Sequence, residues 1–313
     1  MIYEKIKLYA DREDVTLTAY VHSDSRELLN GKKKGAILVC PGGAYLTCSD
    51  REGEPVALRF ASMGYHAFVL RYSTYMEGKP GYPDPTKEVP VNKRSIYPNP
   101  MRDIAKAMLY IREHAEEWLV DTDKIVLCGF SAGAHNCAMY SVYWNTSVLT
   151  EHFNVEPEQL KPAAAILGYT LSDCILQKEI LVKQDNPVTK YLFKVFNVAY
   201  TGEEDPDDEI LYKISPALHV SEYTPPMFLW ATAQDELVPV EHTVRMASAL
   251  AKKNIPFEMH IFEEGQHGLS LANQSTAGSR EQINPHVAKW VGLAEEWLLK
   301  RFALDLPEKN QPY

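Results

Sequence analysis

Two periodicities alternate along the chain. Ala36-Ile37-Leu38-Val39-Cys40 is an unbroken apolar run, the pattern of a strand buried on both faces. Tyr65 to Tyr72, Lys124 to Cys128, Ala163 to Tyr169, Met227 to Ala233 and Phe257 to Phe262 read as further strands. Ile6 to Tyr9 and Val15 to Val21 read as an opening antiparallel pair. Between these runs the apolar spacing becomes helical. Arg102 to Leu119 carries Ile104, Ala107, Met108, Ile111 and Trp118 on one side. Glu54 to Met63, closed by Gly64, is a second helix. Ala134 to Tyr140 begins another, and Val240 to Lys252 and Val287 to Phe302 complete the set. Gly31 to Gly35 and Asp121-Thr122-Asp123 read as turns. The alternation predicts an α/β fold, a mostly parallel central sheet flanked by helices.

Two segments fit neither period. Thr74 to Pro100 is rich in Pro, Gly and Tyr, and Leu171 to Thr224 is long, polar and irregular, with room for helical stretches. Each follows a predicted strand at its carboxyl end, the edge where open α/β sheets bind ligands. They are expected to be cap or rim insertions, at about 74–100 and 171–224, on a single domain spanning 1–313.

Composition narrows the function classes. A formal net charge of −10 argues against a nucleic-acid partner. No run is long and apolar enough to span a membrane, and Met1 to Lys7 lacks the apolar core of a signal peptide. Five cysteines without a C-x-x-C pair suit reduced thiols, so a cytoplasmic location is expected.

The chemistry centres on Gly129-Phe130-Ser131-Ala132-Gly133, set between a predicted strand and a predicted helix. A G-x-S-x-G pentad in that setting is a nucleophile elbow: a sharp turn that lifts the serine hydroxyl clear of the sheet edge. A serine hydroxyl needs a base in reach, and the base needs a carboxylate to fix its tautomer. With this elbow the chain order is Ser, then Asp or Glu, then His. Of the ten histidines, His267 alone lies in a loop after the last strand, in Glu264-Gly265-Gln266-His267-Gly268. The acid belongs after the preceding strand, where Asp235 is the choice, Glu236 the adjacent alternative and Asp173 a distant third. An oxyanion hole requires backbone N–H groups. Ala132 supplies one, and the paired-glycine loop Pro41-Gly42-Gly43-Ala44-Tyr45 supplies Gly43 and Ala44.

In these motifs the chain resembles the α/β-hydrolase esterases of the hormone-sensitive-lipase-like group, most of all the acetyl-xylan-esterase-like, xylanase-associated subgroup. Pro41 to Tyr45 matches the P-G-G-G-Y loop, and Gly129 to His135 the G-[FG]-S-A-G-G-H elbow. Asp235 to Pro239 matches D-x-x-V-P, and Gly265 to Gly268 matches G-x-H-G. Ser215-Pro216 also fits. Ala44 and Ala134 stand where the family has glycine; both keep the backbone N–H, and Ala44 narrows the acyl side of the pocket. The resemblance implies a serine carboxylesterase for short acyl groups, with acetylated sugars a common substrate class. It requires no metal or organic cofactor, its partner is a small-molecule ester, and a homodimer is compatible with it. Tyr45, Tyr72, Tyr75, Tyr82, Tyr97, Tyr169, Tyr191 and Tyr200 cluster about the rim segments. Tyr45, Tyr72 and Tyr169 are taken from them as substrate-binding candidates, against the alternative that such rings simply pack the cap. The competing functions are a prolyl-oligopeptidase-type peptidase, which usually carries a large additional domain, and a non-catalytic ligand-binding protein on the same fold.

Overall fold

The computed structural model describes residues 1–306 except Leu29, Pro80, Gln184 and Asp305. Pro80 and Gln184 of the expected rim segments, and residues 307–313 of the expected domain, lie outside the described residues. The chain opens with β1 (Ile2–Tyr9) and β2 (Arg12–Val21), then alternates β3 (Lys34–Cys40), α1 (Glu54–Ser62), β4 (His66–Arg71), α2 (Asn99–Glu113), β5 (Val120–Phe130), α3 (Ala132–Tyr143) and α4 (Ser147–Phe153). It continues with β6 (Ala164–Gly168), α5 (Cys174–Lys183), α6 (Pro187–Thr201), α7 (Asp208–Lys213), β7 (Met227–Thr232), α8 (Glu241–Lys252), β8 (Phe257–Phe262) and α9 (Trp290–Phe302).

The eight strands form one sheet in the order β1-β2-β4-β3-β5-β6-β7-β8. β1, β2 and β4 pair antiparallel, and every pairing from β4 to β8 is parallel. Strand alternation sorts the core into two layers. Leu38, Leu127, Leu167 and Leu229 face the side covered by α2, α3 and α8. Ile37, Val126, Ile166 and Phe228 face α1 and α9, where Trp230 stacks on Trp290 at 4.9 Å. All seven residues of β3 are buried, as the unbroken apolar run requires.

Three expectations shift in detail. α2 begins at Asn99, with Pro100 in its first turn, and stops at Glu113 rather than Leu119. Leu119 takes φ +53°, a left-handed kink that redirects the chain into β5 and no helix tolerates. Asp121 to Asp123 falls inside β5. Turn chemistry is nonetheless present. The register jumps from Lys34↔Val120 to Ala36↔Ile125, and Asp123 N–H donates to Asp121 Oδ1 at 3.1 Å, so the segment bulges out of the ladder. Val287–Lys289 forms a 3-10 turn before α9.

The segment between β6 and β7 holds α5, α6 and α7. The segment after β4 is stitched to α6: Tyr191 O–H donates to Pro83 O at 2.6 Å, Ser95 O–H to Ala199 O at 2.7 Å, and Tyr97 N–H to Tyr200 O at 2.8 Å. Among the described residues no helix is long and apolar enough to cross a membrane.

Candidate active site

Ser131 occupies the turn between β5 and α3 at φ +51°, ψ −121°, a conformation that costs a residue with a side chain of order 1–3 kcal/mol. Close packing holds it there. A Cβ on Gly129 would lie 2.4 Å from Gly133 O, and one on Gly133 would lie 2.1 Å from Cys40 O. The pentad glycines therefore let β5, α3 and the end of β3 approach one another. Ser131 N–H donates to Gly168 O at 3.1 Å, tying the elbow to β6. Ala132 opens α3, so its N–H has no carbonyl one turn behind it.

Two loops from the far side of the sheet complete a relay. Asp235 follows β7 and His267 follows β8. His267 Nε2 lies 2.9 Å from Ser131 Oγ, and Nδ1 lies 2.7 Å from Asp235 Oδ2. An ionised carboxylate only accepts, so Nδ1 carries the ring proton and Nε2 is the acceptor for the serine hydroxyl. The Asp235 side chain is 1% exposed. Its second oxygen, Oδ1, accepts from Leu237 N–H at 3.0 Å and Val238 N–H at 2.9 Å, which locks the carboxylate's orientation. Glu236 points outward and is exposed. Asp173 instead accepts from the first turn of α5 and from Arg245 at 2.9 Å, away from the relay.

The relay opens into a cleft of about 300 Å³ that Gly43, Ala44, Ser131, Ala132 and His267 all line. Gly43 sits at φ +130°, where a Cβ would meet Thr47 O at 2.3 Å; only glycine fits this turn. Its carbonyl is taken by Leu46 N–H at 2.9 Å and Thr47 N–H at 3.1 Å, which curls the loop over the elbow. Leu171, Leu192, Phe193, Phe196, Leu237 and Val238 supply apolar lining, and Ser49, Arg51 and Glu52 polar lining.

The BD-FAE family profile matches residues 79–250, more than half of the chain. Endo-1,4-beta-xylanase B of Butyrivibrio fibrisolvens is 34% identical over 82% of the chain. The chain belongs to the BD-FAE family. It spans 35% of that xylanase's length and less than half of the other curated relatives it matches. Among solved structures, a carboxylesterase of Lactobacillus plantarum is 27% identical with a TM-score of 0.77, covering 96% of this chain and 98% of its own. An acetyl ester-xyloside bifunctional hydrolase of Caldicellulosiruptor lactoaceticus is 27% identical with a TM-score of 0.70, covering 95% and 96%. The shared architecture is that of the α/β-hydrolases.

In this BD-FAE protein the three tyrosines chosen from the sequence do not reach the cleft. Tyr45, Tyr72 and Tyr169 are 0%, 1% and 2% exposed. The Tyr45 hydroxyl donates to His135 Nδ1 at 2.7 Å, and that ring's Nε2–H donates to Ile214 O at 2.8 Å. Tyr72 O–H donates to Pro41 O at 2.7 Å, and Tyr169 O–H to Glu52 Oε1 at 2.6 Å. Large rings placed just after strand ends are drawn into the core by the area they bury. Tyr82, on the rim loop, lines the cleft instead. Sequence reasoning also passed over Arg51 and Glu52. Their only local signal was two charged residues close behind the paired-glycine loop.

Proposed function

We propose that the protein is a serine carboxylic-ester hydrolase, and one observation carries the reading: the unbroken Ser131–His267–Asp235 relay facing a cleft that Gly43, Ala44 and Ala132 line. Ser131 Oγ attacks the ester carbonyl carbon as its proton passes to His267 Nε2. Asp235 holds the imidazole tautomer and stabilises the imidazolium. The N–H groups of Gly43, Ala44 and Ala132 receive the oxyanion. Collapse breaks the bond to the alcohol, which leaves with the proton from His267. Water, deprotonated by the same imidazole, then cleaves the acyl-enzyme and regenerates Ser131.

Short acyl groups on sugar hydroxyls are the substrate class we favour. Support comes from the bifunctional acetyl ester-xyloside hydrolase among the solved relatives, from the small cleft, and from its mixture of apolar and polar lining residues. Five unpaired cysteines, four of them buried, favour a cytoplasmic setting on the same footing. Ser131→Ala tests the core of the reading. It should abolish turnover of a chromogenic acetyl ester while leaving the circular dichroism spectrum and melting temperature near wild type. Retained turnover would reject Ser131 as nucleophile.

A further inference from the structure

Glu52 stands outside the relay, yet both halves of the site converge on it. It ends the 3-10 turn Asp50–Glu52, next to the paired-glycine loop, and is 4% exposed. Gly42 N–H donates to its Oε2 at 2.7 Å, and Tyr169 O–H donates to its Oε1 at 2.6 Å. The carboxylate lies close beneath the elbow. A Cβ placed on Gly42 would be 2.8 Å from Glu52 Oε2 and 2.9 Å from Ser131 Cβ. Tyr169 in turn accepts from Ser270 N–H at 3.0 Å, and its ring meets the His267 ring at 4.9 Å, edge to face.

The neighbouring residue repeats the pattern. Arg51 donates to Gly268 O at 3.0 Å and to Thr276 O, while Ser270 O–H donates to Arg51 O at 2.9 Å. One short turn thus joins the loop carrying Gly43 and Ala44 to the loop carrying His267. Burying a carboxylate against an amide and a phenol is costly. An apolar side chain of similar size would leave the Gly42 N–H and the Tyr169 O–H without an acceptor. A carboxylate is the group that satisfies both donors at once. Burial, and then the adjacent Glu52 charge, push the Tyr169 hydroxyl well above its ordinary range, so it stays protonated and keeps donating.

We propose that Glu52 is a positioning residue for hydrolysis. One oxygen fixes the Gly42 peptide so that the following N–H groups face the cleft. The other holds Tyr169 against the imidazole of His267. The inference rests on the serine-hydrolase reading and adds a fourth side chain to it, one that acts through its neighbours and touches no reacting atom.

The test is a double-mutant cycle on Glu52→Gln and Tyr169→Phe. It reads the rate of Ser131 labelling by a fluorophosphonate, kcat and KM for an acetyl ester, and the melting temperature. Labelling forms the Oγ–P bond, expels fluoride and sends the serine proton to His267, so it reports the assembled site without the natural substrate. Glu52→Gln should slow labelling and lower kcat by roughly ten- to a hundredfold with KM within about twofold, the signature of a lost transition-state interaction. Tyr169→Phe should cost roughly three- to tenfold. The double variant should fall within about twofold of Glu52→Gln, because both cut one path. Near-wild-type labelling in folded Glu52→Gln, or losses that multiply in the double variant, overturns the proposal. Should Glu52→Gln not fold, Tyr169→Phe decides alone: slower labelling at an unchanged melting temperature upholds it, unchanged labelling overturns it. A wild-type protein that resists labelling overturns the serine-hydrolase reading itself, and this inference with it.

Discussion

Asp235→Asn is the sharpest perturbation of the relay, because the structure dictates how the new amide sits. Asp235 Oδ1 accepts two backbone N–H groups, from Leu237 and Val238. An asparagine must keep its single carbonyl oxygen there, since the flipped amide would set NH₂ against two donors and forfeit both bonds. The NH₂ then faces His267 Nδ1, which becomes an acceptor, and the ring proton moves to Nε2, 2.9 Å from Ser131 Oγ. A protonated Nε2 cannot take the serine proton. Loss of the correct tautomer at unchanged geometry costs about 10⁴ in kcat, or about 5 kcal/mol of barrier. Steady-state kinetics on an acetyl ester, with Glu236→Gln as the exposed control, reads the effect. The reasoning fails if Asp235→Asn keeps more than roughly a tenth of kcat, or if Glu236→Gln is the more damaged variant.

Three further outcomes are expected. Gly133→Ala should destabilise by about 3 kcal/mol or more, seen as a lower urea midpoint, because its Cβ meets backbone oxygens of Cys40 and Pro41 at 2.1 and 2.4 Å; an unchanged midpoint contradicts the elbow packing. Burial lowers His66, His135 and His242 to about 4 from the ordinary 6.5. The unfolded chain therefore takes up these protons first, so stability is complete above pH 6.5 and declines as pH falls toward 4, by about 1.4 kcal/mol per unit for each ring. Urea titrations at pH 7.5 and 5 check this, and equal midpoints would exclude it. Acetyl esters should turn over faster than octanoyl esters in the narrow cleft, with Phe193→Ala raising octanoyl turnover; faster octanoyl hydrolysis by the wild type would contradict this.

Much of the architecture was legible because both of its signals are local. The apolar runs of β3, β6 and β7 mark strands buried on two faces, and the Gly-x-Ser-x-Gly spacing marks a turn that few other residues permit. The order of Ser131, Asp235 and His267 could be read once the elbow was placed, since each follows a strand. What escaped reading depends on distant partners. Asp121 to Asp123 looked like a free turn because a bulge is defined only by the opposing strand. The burial of Tyr45 depends on His135 and on Tyr200, whose ring stacks on it at 4.1 Å. Glu52 is informative only beside Gly42 and Tyr169, and no spacing in the chain announces that meeting.

Part of the cleft's lining has a separate origin from its machinery. Phe193 and Phe196 stand on α6, in the stretch between β6 and β7, whereas Ser131, Asp235 and His267 ride on loops outside it. That part of the lining and the relay are therefore carried on different pieces of chain. On the proposed function, a transplanted stretch that preserved the Ile214 carbonyl under His135 is expected to change which acyl chains enter while leaving the Ser131–His267–Asp235 relay in place.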